Sequence, residues 1–144
     1  YQRRVRGMYQ FYVLDMKQVD KIIHFQQFSD KCVEYSVDKA KYLHNITRQL
    51  GELAKQFDDN DQIYCIQAQQ FSCHFYITLT QFAFVAITNI NQNVDEMQNY
   101  LRLFHKDVFV PHCLTDKNWN PIERKFEAKI FGAQVEEFWR KNVK

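Results

Sequence analysis

Glycine and proline are almost missing from this 144-residue chain, which holds three of the first and two of the second. So little turn chemistry argues against a sheet sandwich with many tight turns. With glycine only at 7, 51 and 132, no glycine-rich phosphate loop can be written. No serine sits in a nucleophile elbow, and no His-Glu-x-x-His pair occurs. Nothing assembles a nucleophile, a base and oxyanion donors, so neither an enzyme nor a cofactor is expected. A net charge of +2 makes no demand for nucleic acid. The basic residues gather at Arg3, Arg4 and Arg6 and at Arg140, Lys141 and Lys144, where they read as solvated termini.

Charge is also missing locally. From Gln62 to Val94 there is no Asp, Glu, Lys or Arg, although a quarter of the chain is charged. Tyr64, Ala68, Phe71, Phe75, Leu79, Phe82, Ala86 and Ile90 recur at steps of three and four, one face of an α-helix. Ile77, Ala83, Phe84, Val85 and Ile87 make a second face apolar. A helix apolar on most sides needs neighbours on most sides, so the stretch predicts the central helix of a bundle. Gln67, Gln69, Gln70, Ser72, His74, Thr78, Thr80 and Gln81 are too many polar groups for a membrane span.

The remaining chain is read the same way. Tyr9, Tyr12, Met16, Val19 and Ile23 predict a first helix within residues 5–28, with Gly7 loosening its start. Ser29 and Asp30 would cap a second, carried by Val33, Val37, Ala40, Leu43, Ile46, Leu50, Leu53 and Phe57. Asp58-Asp59-Asn60-Asp61 supplies a turn and cap. Asn93 with Glu96 suggests a capping pair for a fourth helix burying Val94, Met97, Leu101 and Phe104. Pro111 excludes a helix interior across 107–119. Asn120-Pro121-Ile122-Glu123 is the clearest start signal, for a last helix burying Ile122, Phe126, Ile130, Ala133 and Phe138. The expected fold is all-α: residues 1–144 as a single domain, an irregular bundle of about five helices around the central apolar one. Aromatic residues make up 16% of the chain and are expected to fill that core, Phe82 among them.

Four cysteines in a domain of this size suggest two disulfides. In a continuous helix Cys65 and Cys73 lie about 12 Å apart, too far to bridge each other. Cys73 with Cys113 is preferred, leaving Cys32 with Cys65. The second pairing requires the chain to turn between Asn45 and Gly51. Reduced thiols are the alternative. Cys73-His74 and His112-Cys113 lack the short Cys-x-x-Cys spacing of structural zinc, so no metal site is expected. His74 shares a polar helix face with Gln67, Gln70, Thr78, Gln81 and Thr88, as a lined pocket or as inter-helix hydrogen bonding. The chain opens at Tyr1, which fits a mature secreted protein or a trimmed chain. Asn45-Ile46-Thr47 is a glycosylation sequon.

Tyr1-Gln2-Arg3-Arg4, Met8-Tyr9-Gln10-Phe11-Tyr12, the cysteines at 32, 65, 73 and 113 and whole-chain helicity resemble the salivary proteins of anopheline mosquitoes. That group comprises small all-helical complement inhibitors and the helical domain of the antiplatelet protein. The resemblance implies an extracellular, secreted, non-enzymatic inhibitor of complement or haemostasis during blood feeding. Its partner would be a host plasma or cell-surface protein. A carrier of a small apolar ligand in a helical cavity and a helical cytokine-like receptor ligand are the alternatives.

Overall fold

A computed structural model of the chain describes residues 7–18, 21–29, 37–54, 62–67, 71–126 and 131–143. Its centre is a sheet, not a helix. Strands β1 (Met8–Asp15), β2 (Lys21–Gln27), β3 (Gln62–Gln67), β4 (Phe71–Ile77) and β5 (Phe82–Asn89) form one five-stranded sheet in the order β2-β1-β5-β4-β3. All of its pairings are antiparallel. The uncharged stretch expected as a single rod is three strands, and the first expected helix is the β1–β2 hairpin. The described helices are α1 (Val37–Ala54), α2 (Val94–Phe104) and α3 (Phe131–Asn142), with a π-helical segment His105–Leu114 continuing α2. A short hairpin of β6 (Trp119–Asn120) and β7 (Lys125–Phe126) lies between that segment and α3.

The inner strands β1, β4 and β5 are covered on both faces, which explains the missing charge along β4 and β5. On one face Phe11, Val13, Tyr76, Phe84 and Ala86 pack with Met97, Leu101 and Phe104 of α2, Phe109 and Cys113 of the π-helical segment, and Phe138 and Trp139 of α3. On the other, Tyr12, Leu14, Phe75, Val85 and Ile87 meet Leu43 of α1, with Ile46 and Leu50 beside it. Strands buried on two sides lose the apolar–polar alternation that normally marks them. Phe82 is buried as expected, at 2% exposure, but on a strand.

Two helical expectations meet the structure directly. The α1 stripe of Leu43, Ile46 and Leu50 does face the core, and Asn93 caps α2, its Oδ1 accepting from Glu96 N at 3.0 Å. Helix α1 runs unbroken through 45–51, so the predicted turn there is absent. Within it the sequon's Thr47 hydroxyl is buried and donates to Leu43 O at 2.6 Å, while Asn45 stays exposed. Pro111, expected to exclude helix, lies inside the π-helical segment, whose wider winding accommodates a ring that an α-helix rejects. Asn120 caps as its signal demands, Oδ1 accepting from Ile122 N and Glu123 N, but a turn follows rather than a helix. Ile122, expected in the core, is 90% exposed.

The disulfide expectation is corrected as well. Cys65, Cys73 and Cys113 form no disulfide, and Cys32 lies outside the described residues, as do the expected cap at Asp30 and the 58–61 turn. The sheet itself separates Cys73, in the core cluster on the α1 face, from Cys113 on the opposite one. Burial and the Asp116 carboxylate push the Cys113 thiol up to about 12, so it is inert at neutral pH. The expectation of secretion loses the support it drew from cross-linking.

Candidate functional site

Two polar groupings stand out on this apolar frame. The first surrounds His74. Strand register sets Cys65 opposite His74, Ser72 opposite Thr88 and Gln67 opposite Ser72, all on the sheet face that carries α2. His74 and Thr88 therefore do come together, as the sequence suggests, though through strand pairing; Thr78 and Gln81 sit apart in the β4–β5 turn, and Gln70 lies outside the described residues. His74 Nε2 lies 3.0 Å from Thr88 Oγ1, which donates its own hydrogen to Asn89 O. Nε2 must then carry the imidazole proton, leaving Nδ1 buried and unprotonated without a partner. Burial lowers the His74 pKa to about 4. His74, Ser72 and Thr88 are all fully buried, which makes the group part of the packing between sheet and helix.

A pH prediction follows from it. A histidine whose folded pKa lies below its unfolded value stabilises the fold above the unfolded value, near 6.5. That stability is lost as the pH falls toward 4. Between pH 7 and 4.5 urea unfolding should show a loss of about 2–3 kcal/mol assignable to this residue. His74→Gln should flatten the dependence over that window. An unchanged slope would place the titration elsewhere.

The second grouping is at the end of the sheet where the β1–β2 and β4–β5 turns meet the 115–126 segment. Asp15 closes β1 and is fully buried. Arg124 reaches it from 109 residues away, Nε donating to Oδ1 at 2.9 Å. The same guanidinium donates through Nη2 to Thr80 O and Gln81 O at 3.4 and 3.3 Å, and its Cζ lies 4.0 Å above the Phe82 ring. That adds a cation–π contact to the ion pair. His44 of α1 donates to the Asp15 carbonyl at 2.8 Å, tying the opposite layer to the same residue. Lys21 Nζ and Gln18 Nε2 donate to Glu123 O from the β1–β2 side.

Among the described residues the two non-glycine positions with left-handed backbone are Gln81 (φ 67°) and Arg124 (φ 54°). They meet here, Gln81 O accepting from the Arg124 side chain. Such backbone is tolerated only where its surroundings over-determine it, and it concentrates at binding and switching sites. In the β4–β5 turn Gln81 does what glycine usually does. Thr78 supplies the remaining closure, its carbonyl accepting from Gln81 N and its hydroxyl accepting from Phe82 N.

Beside Arg124 opens a shallow groove of about 400 Å³. Phe82, Trp119, Leu114 and Pro121 give it an apolar lining, and Lys17 and Arg124 are its charged members. Phe82 and Trp119 meet edge to face at 5.9 Å. Leu79, 74% exposed, lines it from the β4–β5 turn, and Ile122 projects from the adjoining 121–124 turn. None of these residues was singled out as a site in the sequence. The lone acid ending the apolar run Met8–Leu14 was the one local sign of it.

The sheet order and its helical layers have a counterpart among solved structures. The chain superposes on a Roadblock/LC7 domain from Streptomyces avermitilis with a TM-score of 0.54, over 73% of this chain and 85% of that one. The fold is of the Roadblock/LC7 type. Sequence identity is 9%, so the likeness is one of fold. Looser likenesses reach MglB of Myxococcus xanthus (TM-score 0.48, 12% identity, 69% of this chain and 85% of that one) and MglC of the same organism (0.45, 14%, 69% and 82%). No family model and no curated relative matches the sequence. A Roadblock/LC7-type sheet is incompatible with the all-helical salivary proteins. The complement or haemostasis inhibitor role and its host plasma target rested on that resemblance and go with it. The helical carrier and the cytokine-like ligand presupposed the same all-α fold and are withdrawn too. No helix among the described residues is long and apolar enough to cross a membrane.

Proposed function

We propose that this is a small regulatory or adaptor domain that acts by binding another protein rather than by catalysis, and that the groove beside Arg124 is where it docks. The observation that carries the reading is a pair of exposed aliphatic side chains, Leu79 in the lining of an apolar groove and Ile122 next in the chain to its lining residue Pro121. Isolated apolar residues on a surface need no explanation, but large ones grouped beside a concave apolar lining mark interaction sites. Histidines 24, 44 and 74 are committed to structural contacts with Gln26, the Asp15 carbonyl and Thr88. That leaves none of the three beside the groove as a base.

The test is a Leu79→Ser/Ile122→Ser double variant. Both side chains are exposed, so folding stability should change by no more than about 0.5 kcal/mol per site. Partners captured by the native protein from its own cells, then purified and titrated, should bind the variant at least tenfold more weakly. Equal affinity for the folded variant would remove the groove from the interface, and turnover of a substrate would contradict the non-catalytic reading.

A further inference from the structure

We infer that the groove beside Arg124 receives a peptide segment in which a carboxylate lies next to a bulky apolar side chain. The inference rests on the docking reading and names the chemistry of the partner. Among the described residues the charged ones lining the groove are Lys17 and Arg124, and both are cations. Asp15 is fully buried against Arg124 and takes no part in the lining. Glu123 is exposed beside Ile122, but it too is absent from the lining. The Arg124 side chain keeps 13% of its surface exposed after pairing with Asp15, and Lys17 is exposed. A visitor therefore meets the exposed Lys17 ammonium, with the edge of an Arg124 guanidinium already paired to Asp15, over an apolar lining, a surface whose complement is negative and apolar together.

The concavity favours a peptide over a lipid surface. Phe82 and Trp119 form a lining that can take one large side chain beside the exposed Leu79. Membrane recognition by electrostatics uses clusters of about four to eight basic residues, and among the described residues two line this site. Lys17 instead suits a carboxylate held at the mouth while an aromatic or branched side chain fills the groove.

The experiment uses the whole chain and its two tryptophans, Trp119 at the groove and Trp139 in the core. Their indole N–H signals are followed by NMR. The probes are synthetic twelve-residue peptides pairing Leu, Phe or Trp with flanking Asp and Glu, and the same peptides with Lys in place of the acids. Acidic peptides should move the Trp119 signal and leave that of Trp139 in place. Lys17→Glu should weaken them at least tenfold, and raising salt from about 0.1 M to 0.5 M should weaken them severalfold. Equal binding of acidic and basic peptides would overturn the charge inference while leaving a docking groove. Loss of all peptide response, with Trp119 moving instead on vesicles of anionic lipid, would overturn both. No response to either probe would overturn the inference alone, and the Leu79/Ile122 comparison would then judge the docking reading.

Discussion

Arg124→Ala should cost about 3 kcal/mol of folding stability, the low end of what removing one partner from a buried ion pair costs. The carboxylate left behind explains the size. Asp15 is fully buried, Arg124 is its partner through Oδ1, and Oδ2 already has no hydrogen-bonding partner. Without the guanidinium, Lys17 N remains on Oδ1 at 3.0 Å as a single neutral donor to a buried charge. The stacking on Phe82 and the two carbonyl contacts are lost in the same change. Arg124→Lys should recover only part of the loss, because an ammonium keeps the charge but not the planar fork or the ring stacking. Pairing Asp15→Leu with Arg124→Leu should come closer to native than Arg124→Ala does, since no unpaired charge stays buried. Urea unfolding of the four proteins checks the order. A loss below about 1 kcal/mol for Arg124→Ala would mean the pair is solvated.

Phe84→Ala should be at least as costly, about 3–5 kcal/mol. Phe84 is fully buried on β5, with ring centroids of Phe109 at 5.1 Å, Phe104 at 5.2 Å, His105 at 5.8 Å, Tyr76 at 6.1 Å and Phe11 at 6.4 Å around it. These neighbours come from two adjoining strands, α2 and the π-helical segment, so no single element can collapse into the hole. A chain of this size should then melt about 10 °C or more lower. Phe84→Leu, which keeps most of the volume, should lose clearly less. A near-neutral alanine variant would place Phe84 outside the packed layer between sheet and helices.

The helices were legible in the sequence where their burial is one-sided. Leu43, Ile46 and Leu50 on α1, and Met97, Leu101 and Phe104 on α2, obey a helical period because the other side of each helix meets water. The strands were not, for three physical reasons. Phe82 to Ile87 are buried on both sheet faces, so β5 reads as a continuous apolar run with no alternation. A step of four, as from Phe71 to Phe75, returns to the same face in a strand as well as in a helix, and much of the helical spacing in 62–94 is of this kind. The β4–β5 turn gives no glycine, asparagine or proline to announce it, because Gln81 takes the left-handed position.

The Asn120-Pro121 signal teaches a related lesson. The cap forms as its chemistry requires, yet a cap fixes only the two amide groups it accepts from, and here the chain turns back through Arg124 to pair β7 with β6. The groove was hidden for a different reason. Asp15 and Arg124 meet across 109 residues of chain, and no local pattern encodes a contact of that range.

The claim on which the rest depends is that residues 62–67, 71–77 and 82–89 are three antiparallel strands, β4 and β5 covered on both faces, with Val85 of β5 opposite Phe75 of β4 and Tyr12 of β1. Nuclear Overhauser contacts between backbone protons read this directly. Cross-strand contacts linking Tyr76 with Phe84, Ser72 with Thr88 and Phe11 with Ala86 are the expected result. An unbroken series of contacts from each residue to the third one onward, running from 71 through 89, would show a helix and contradict the account.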